Sequence, residues 1–511
     1  MGKRTIVMVF FWLWLGCQTD PKPVASTVPD MSFIPIGHMA PAGATSGDVD
    51  ASMVIVEGPT RERESGDLSG MQGGSGPSAE PHPMVDLGLG DSMASADSHI
   101  EPRPEETPPD AGGANRPGTG PDLTTNEPAQ LKLSFRPIDH DASAMRLTDL
   151  AFIPNTDELI AIDKDGIVLH MRLTGDRARR LGEFTIDDTW DDSDAGLISL
   201  TLDPAFDDNG FFYVGLSIDM ETNVIRRYRF DPSDYAGIAA SGVEIISVRG
   251  AGAQRSWHNV GSIGFTEEGY LWGLFGDKVR KHLAQDLHSP LGSLIRIIPN
   301  LDADGGYEVP ADNPFADGSG HPAVYAKGMR SPWKGHYVDG HWFFGDIGLD
   351  RYEEINQIVI AGDNFGWPDA EGICEGDCAD YIDPWVYYGR SSRHPFVVDD
   401  DDATAARWRS VWVGVVYRPQ ENTPDPYGNR WTDTLVFGDT FSGFVRARPI
   451  VGSTPSYPAG HITQITAMAQ GPDGYVYATA LGTWPADAPM QASPIYRVTL
   501  ETRTENGDEA P

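Results

Sequence analysis

Residues 263–277 read IGFTEEGYLWGLFGD. Two runs of apolar, β-branched and aromatic residues flank Thr-Glu-Glu-Gly, the punctuation of a tight turn. The stretch therefore predicts an antiparallel hairpin. Five other stretches repeat the scheme: LAFIPNTDELIAIDKDG (150–166), LTLDPAFDDNGFFYVGLS (200–217), KGHYVDGHWFFGDIG (334–348), NRWTDTLVFGDTFSG (429–443) and MAQGPDGYVYATALG (468–482). They recur at uneven intervals of roughly 40 to 90 residues, as repeats with variable loops do. Radial repetition of small antiparallel sheets makes a β-propeller, so the expected fold is all-β with six blades. A double-sheet sandwich is the alternative. A propeller also gathers loops from every blade around a central depression, where a site would lie.

Composition agrees. The chain has 511 residues with 57 glycines and 40 prolines, too many for a helical protein and suited to loop-rich β structure. Its formal charge of −37 excludes binding to a nucleic-acid backbone, which needs clustered Lys and Arg. It also disfavours anionic membrane surfaces. Acidity of this order suits calcium, or salty and extracellular surroundings.

The N-terminus reads MGKRTIVMVFFWLWLGCQTD. Lys3 and Arg4 precede an apolar run, residues 5–15, too short to span a bilayer as a mature helix. It ends Gly16-Cys17, which resembles a lipoprotein cleavage box, with Trp14 where leucine is usual. The expectation is a leader over residues 1–17, lipidation at Cys17 and, with Gln18 next, anchoring at the outer membrane. An ordinary secretory signal or an uncleaved anchor is the alternative. Residues 18–130 are rich in Pro, Gly, Ser, Ala and acids, with Phe33 the only Phe, Tyr or Trp, and cannot bury enough apolar surface to fold. They are expected to be a disordered linker. The propeller is expected over 131–500, followed by a short disordered tail, 501–511. Cys374 and Cys378 are the remaining cysteines and, in an exported chain, predict a disulfide. Half a zinc site is the other reading.

Within the propeller, His258 follows Trp257 and precedes an apolar strand, and taken alone is as well explained as a hydrogen-bonded filler. Its company changes that. Residues 289–372 carry Gly-Ser-Leu-Ile-Arg-Ile, Ala-Asp-Asn-Pro-Phe, Arg-Ser-Pro-Trp, Glu-Glu-Ile-Asn and Asn-Phe-Gly-Trp-Pro in order. Together with the stretches around Leu200 and His258, this series resembles the glucose/sorbosone dehydrogenase family over most of residues 140–500. The resemblance implies an exported six-bladed propeller that oxidises a small sugar, with pyrroloquinoline quinone (PQQ) and calcium as cofactors and an electron acceptor the sequence does not identify. It implies that His258 is the general base toward the sugar C1 hydroxyl, and an imidazole suits that role near neutral pH. It implies that Arg330 stabilises charge on the quinone oxygens, with Ser331 standing where the family has asparagine. It places calcium on the cofactor at backbone carbonyls of the turn matching Gly348 and Leu349, with Asp350, Glu353 and Glu354 nearby as further candidate ligands. The only membrane contact expected is the N-terminal lipid.

The chain departs from the family where the three carboxylates of PQQ would be held. Phe441 stands near a family lysine, Gln464 and Thr466 near two arginines, and Asp194 replaces an early glutamine. Each lost contact is charge-assisted. Arg446, Arg448, Lys327 and Lys334 are the cations left to compensate. These departures keep a second reading open, a non-catalytic propeller that binds a carbohydrate or a protein, as hedgehog-interacting relatives do. A calcium-dependent hydrolase is a third, disfavoured by the lack of acidic ligands spread over several blades.

Overall fold

The computed structural model describes residues 130–141, 146–302, 304–376, 378, 380–390, 409–482 and 492–501. The leader, Cys17, the linker up to residue 129 and the tail from residue 502 lie outside the described residues.

Six sheets stand around an axis, antiparallel but for the two-residue strand Asp139–His140, which pairs parallel at the outer edge of the first. Their innermost strands are Leu147–Phe152, Leu197–Leu202, Val260–Phe265, Pro332–Val338, Val411–Val416 and Ile465–Gln470, one for each of blades one to six. Each packs against the next, and the sixth against the first, so the ring is closed. Closure is covalently split: strand Leu133–Pro137, before blade one in sequence, pairs antiparallel with Ile495–Leu500 as the outer strand of blade six, from Leu133 opposite Leu500 to Pro137 opposite Tyr496.

Alternation of side chains along a strand explains the composition of the blades. In Leu271–Phe275, Leu271 and Phe275 face blade two while Trp272 and Leu274 face blade four. In the next blade Trp342 and Phe344 turn back to blade three and Phe343 turns on to blade five. Sheets covered on both faces need runs that are apolar throughout, not merely on alternate residues. The core is accordingly six wedges, one between each pair of neighbouring blades.

Five of the six quoted stretches hold the turn between the first two strands of a blade. The fifth is displaced outward: residues 429–443 contain only the second strand of blade five, Thr434–Asp439. Its inner strand, Val411–Val416, lies upstream across the connection 417–433, and no short turn links the two.

Lys334 closes the axis from below. Its buried ammonium donates to the carbonyls of Thr148 (3.0 Å) and Ile198 (3.1 Å) and lies 3.5 Å from an Asp149 oxygen, joining blade four to blades one and two.

Candidate active site in the central funnel

An aspartate ends the second strand in three blades, as Asp163, Asp346 and Asp439, and in blade three Asp277 stands two residues past the strand Leu271–Phe275. Three of them clamp the entry to their own inner strand by accepting backbone N–H groups. Asp163 takes Arg146, Asp346 takes Arg330 and Ser331, and Asp439 takes Ser410, at 2.7–2.9 Å. Short polar side chains at such corners replace the backbone partners that a strand end lacks. Blade three puts the same aspartate to another use.

Asp277 Oδ1 lies 2.5 Å from His258 Nδ1, a side chain rather than a main-chain group. The same oxygen accepts the Val279 N–H (2.7 Å), and Oδ2 accepts Trp367 Nε1–H (2.8 Å). Burial raises the Asp277 carboxyl, but His258, Arg330 and the Trp367 hydrogen bond outweigh it and hold the group below the usual carboxylate range. An ionised partner at Nδ1 fixes the proton there and leaves Nε2 as the basic nitrogen. His258 is held in the left-handed region, with φ 55°, a conformation costing on the order of 1–3 kcal/mol in a residue with a side chain. Asp194 supports it, accepting the His258 N–H (2.8 Å) on one oxygen and Asn259 Nδ2–H (3.1 Å) on the other. Gly276 leaves room: a β-carbon there would stand 2.4 Å from the His258 carbonyl oxygen.

Arg330 comes from blade four. Its backbone N–H is clamped by Asp346, and Nη1 donates to the Ile347 carbonyl at 2.7 Å. Its Nε is buried without a hydrogen-bond partner, and the guanidinium makes no ion pair among the described residues. Trp367, which fixes Asp277, also lies under the guanidinium carbon, 5.5 Å from it. Burial pushes Asp346 up to about 7, against the pull of those N–H groups and of Arg330.

His258 and Arg330 line one funnel at the axis, enclosing about 940 Å³, part of it open to solvent. Every blade contributes to its wall. Thr148 and Lys164 come from blade one, Asp194 and Ile198 from the start of blade two, Trp257 from blade three, Ser331 and Trp333 from blade four, Thr440 from blade five and Thr466 from blade six. Arg390, at the end of blade four, also reaches it and is ion-paired with Glu353. Tryptophans with a few convergent polar groups suit a flat, polar ring system. Lys164, Arg390, Asp277 and Trp367 were not singled out in the sequence; the recurring Gly-Asp at strand ends was the one available signal for Asp277.

The funnel's donors fit a carboxylated quinone in kind: an orphaned buried guanidine nitrogen, a second buried cation in Lys164, and two tryptophans. The predicted calcium residues do not gather in the same way. Gly348 and Leu349 do not reach the funnel wall, and the N–H groups of Leu349, Asp350, Arg351 and Tyr352 converge on Glu371 Oε1 at 2.7–3.3 Å. Adjacent residues of a strand face opposite ways, so Glu353 and Glu354 diverge. Glu353 is paired with Arg390 and accepts the Val411 N–H, whereas Glu354 accepts Gly372 N–H and Asn356 Nδ2–H. Among the described residues no group of three His, Cys, Asp or Glu is placed to hold a metal ion. These side chains make no calcium site, and no step below runs through one. Cys374 and Cys378 are joined in a disulfide.

Of the departures noted above, Thr466 lines the funnel and hydrogen-bonds Thr479 (2.9 Å), while Phe441 and Gln464 do not reach it. The four remaining cations are also engaged elsewhere. Arg446 bonds Ser456, Arg448 lies 3.9 Å over the Trp385 ring, Lys327 donates to the Gln285 carbonyl, and Lys334 lies at the axis as described.

Comparison with known proteins agrees with this fold. Residues 145–383 match the family described as Glucose / Sorbosone dehydrogenase. The chain is 32% identical over 133 residues to the HIPL1 protein of Arabidopsis thaliana, covering 22% of this chain and 19% of that protein. It is 34% identical over 115 residues to the aldose sugar dehydrogenase YliI of Escherichia coli K12, covering 22% of this chain and 29% of that one. The fold matches that of the PQQ-bound aldose sugar dehydrogenase of Streptomyces coelicolor, with a TM-score of 0.55 and 18% identity over 72% of this chain and 99% of that one. The six-bladed ring and the match over residues 145–383 thus make the chain similar to the glucose/sorbosone dehydrogenase family across that stretch.

Proposed function

We propose that the protein is an aldose dehydrogenase that uses PQQ, with His258 as general base. One observation carries this reading: an imidazole locked at Nδ1 by a buried carboxylate lines the same funnel as a buried arginine that has no ion-pair partner among the described residues. When bound, PQQ supplies a quinone carbonyl carbon able to accept hydride. His258 Nε2 takes the proton from the sugar C1 hydroxyl while the C1–H bond breaks and its electron pair leaves with the hydride, so that C1 becomes the carbonyl of a lactone. Asp277 would stabilise the imidazolium formed in that step, and Arg330 is the group that would meet negative charge developing on the bound quinone.

Export accompanies this reading. The leader ending at Cys17 and the disulfide between Cys374 and Cys378 both suit an oxidising compartment, and lipidation of Cys17 would hold the propeller at the outer membrane on its linker.

The test is reconstitution. Purified protein given PQQ, with and without calcium, is expected to reduce a dye in the presence of aldoses and to melt at a higher temperature when loaded. A folded sample showing neither effect would reject the proposal and favour the binding-propeller reading.

A further inference from the structure

Lys164 is the buried cation that the mechanism above leaves unused. It follows the second strand of blade one, is 1% exposed, and lines the funnel. Its backbone ties blades one and two, the N–H donating to Arg146 and the carbonyl accepting Leu197 N–H, both at 3.0 Å. Its stem passes Gly196, where φ is 147° and a β-carbon would stand 2.6 Å from Lys164 Cγ. A lysine threaded past a glycine in this way has little freedom to leave. Its ammonium donates to one carbonyl, that of Asp191 at 2.5 Å, and makes no ion pair within 4 Å among the described residues. A buried ammonium with one neutral partner is costly unless something else meets it.

The charges around it frame the opening. Arg146, ion-paired with Asp191 at 2.6 Å, and the carboxylates of Asp191, Asp192 and Asp194 all act on the lysine. Burial first, and Arg146 second, push the lysine down to about 7 against the pull of the three aspartates. An arriving anion would restore its charge. Blades one and four lie across the ring from each other, so a ligand between Lys164 and Arg330 spans the funnel.

Resting on the reading of the funnel as a sugar-oxidising site, we propose that Lys164 binds a carboxylate of the ligand seated between blades one and four. It would do the work that Phe441, Gln464 and Thr466 do not. Two sources share that chemistry: a carboxylate of PQQ, or the carboxylate of a sugar acid whose C1 hydroxyl points at His258.

Two measurements test it. The first titrates PQQ, followed by quenching of protein fluorescence, and D-glucuronate, followed by calorimetry, into the protein with and without PQQ. Both use wild type, Lys164→Gln and Lys164→Arg. Removing a charge-assisted contact at a buried site is expected to weaken binding on the order of 10- to 100-fold, with most of it regained in the arginine variant. Weakened PQQ binding assigns the carboxylate to the cofactor. Unchanged PQQ binding with loss of D-glucuronate assigns it to the substrate. If wild type binds D-glucuronate through Lys164 but never binds PQQ, the quinone reading fails and this one stands. Equal affinities in all three proteins for both probes overturn it. The second needs no variant: a structure of wild type soaked with each probe should place a carboxylate oxygen about 3 Å from Lys164 Nζ. Carboxylates turned to another wall in both soaks also overturn it.

Discussion

Replacing Asp277 by asparagine probes the base without moving it. The carboxylate receives three hydrogens, from His258 Nδ1 and Val279 N on Oδ1 and from Trp367 Nε1 on Oδ2. Asparagine has one acceptor oxygen, so either orientation fails somewhere. With the oxygen toward His258, the amide NH2 confronts the Trp367 N–H, a buried donor pair costing about 1–3 kcal/mol. Flipped, the NH2 confronts Val279 N–H and donates to His258 Nδ1, which moves the ring proton to Nε2 and leaves no base toward the funnel. Even the productive orientation lacks the negative charge that stabilises an imidazolium 2.5 Å away, about 1.5–3 kcal/mol of transition-state energy. Together these predict a kcat lower by on the order of 100-fold in dye reduction by PQQ-loaded enzyme, KM within about threefold, and an unfolding free energy lower by about 1–3 kcal/mol. The native pKa of Asp277 lies below its unfolded value, so its ionic contribution is present above about pH 4 and lost as pH falls through the native pKa. The stability gap between the two proteins should therefore narrow in acid. An Asp277→Asn enzyme within threefold of wild-type kcat would refute the reasoning.

Other perturbations follow from the same coordinates. Gly276→Ala should displace His258, since the new methyl would stand 2.4 Å from its carbonyl oxygen. Activity should fall at least tenfold and stability by about 1–3 kcal/mol, measured by turnover and urea unfolding. Arg330→Lys keeps the charge but not the planar fork, so kcat should drop at least tenfold, with the far-ultraviolet spectrum unchanged. Replacing both Cys374 and Cys378 by serine opens a loop with a sequence separation of 4, worth about 2 kcal/mol or less on loop-closure grounds, and should leave kcat unaltered. Lys334→Met orphans the carbonyls of Thr148 and Ile198 at the axis and should lower the melting temperature while the His258 geometry persists.

The ring was legible because its hairpins are local: a turn such as Thr-Glu-Glu-Gly and two apolar flanks lie within fifteen residues of sequence. Blade five escaped because Val411–Val416 is buried on both faces and separated from its partner by a long connection, so neither alternation nor a turn marks it. His258 and Arg330 were found only by resemblance, since nothing in their local pattern distinguishes them from structural residues. Asp277, Trp367 and Lys164 were missed for a physical reason. Their roles depend on which corners of different blades meet at the axis, as when Trp367 reaches an aspartate 90 residues away. The repeated aspartate at or near strand ends was visible throughout, but only the folded ring shows that in blade three it grips the His258 imidazole as well as a backbone N–H.

The joint between Leu133–Pro137 and Ile495–Leu500 has a consequence for biosynthesis. The first strand to emerge from the ribosome has no partner until nearly the whole domain has been made, because the strand it needs is the last. A nascent chain released before residue 495 would leave Leu133–Pro137 without its partner, and a protease that trimmed residues 130–137 would bare the outer edge of blade six.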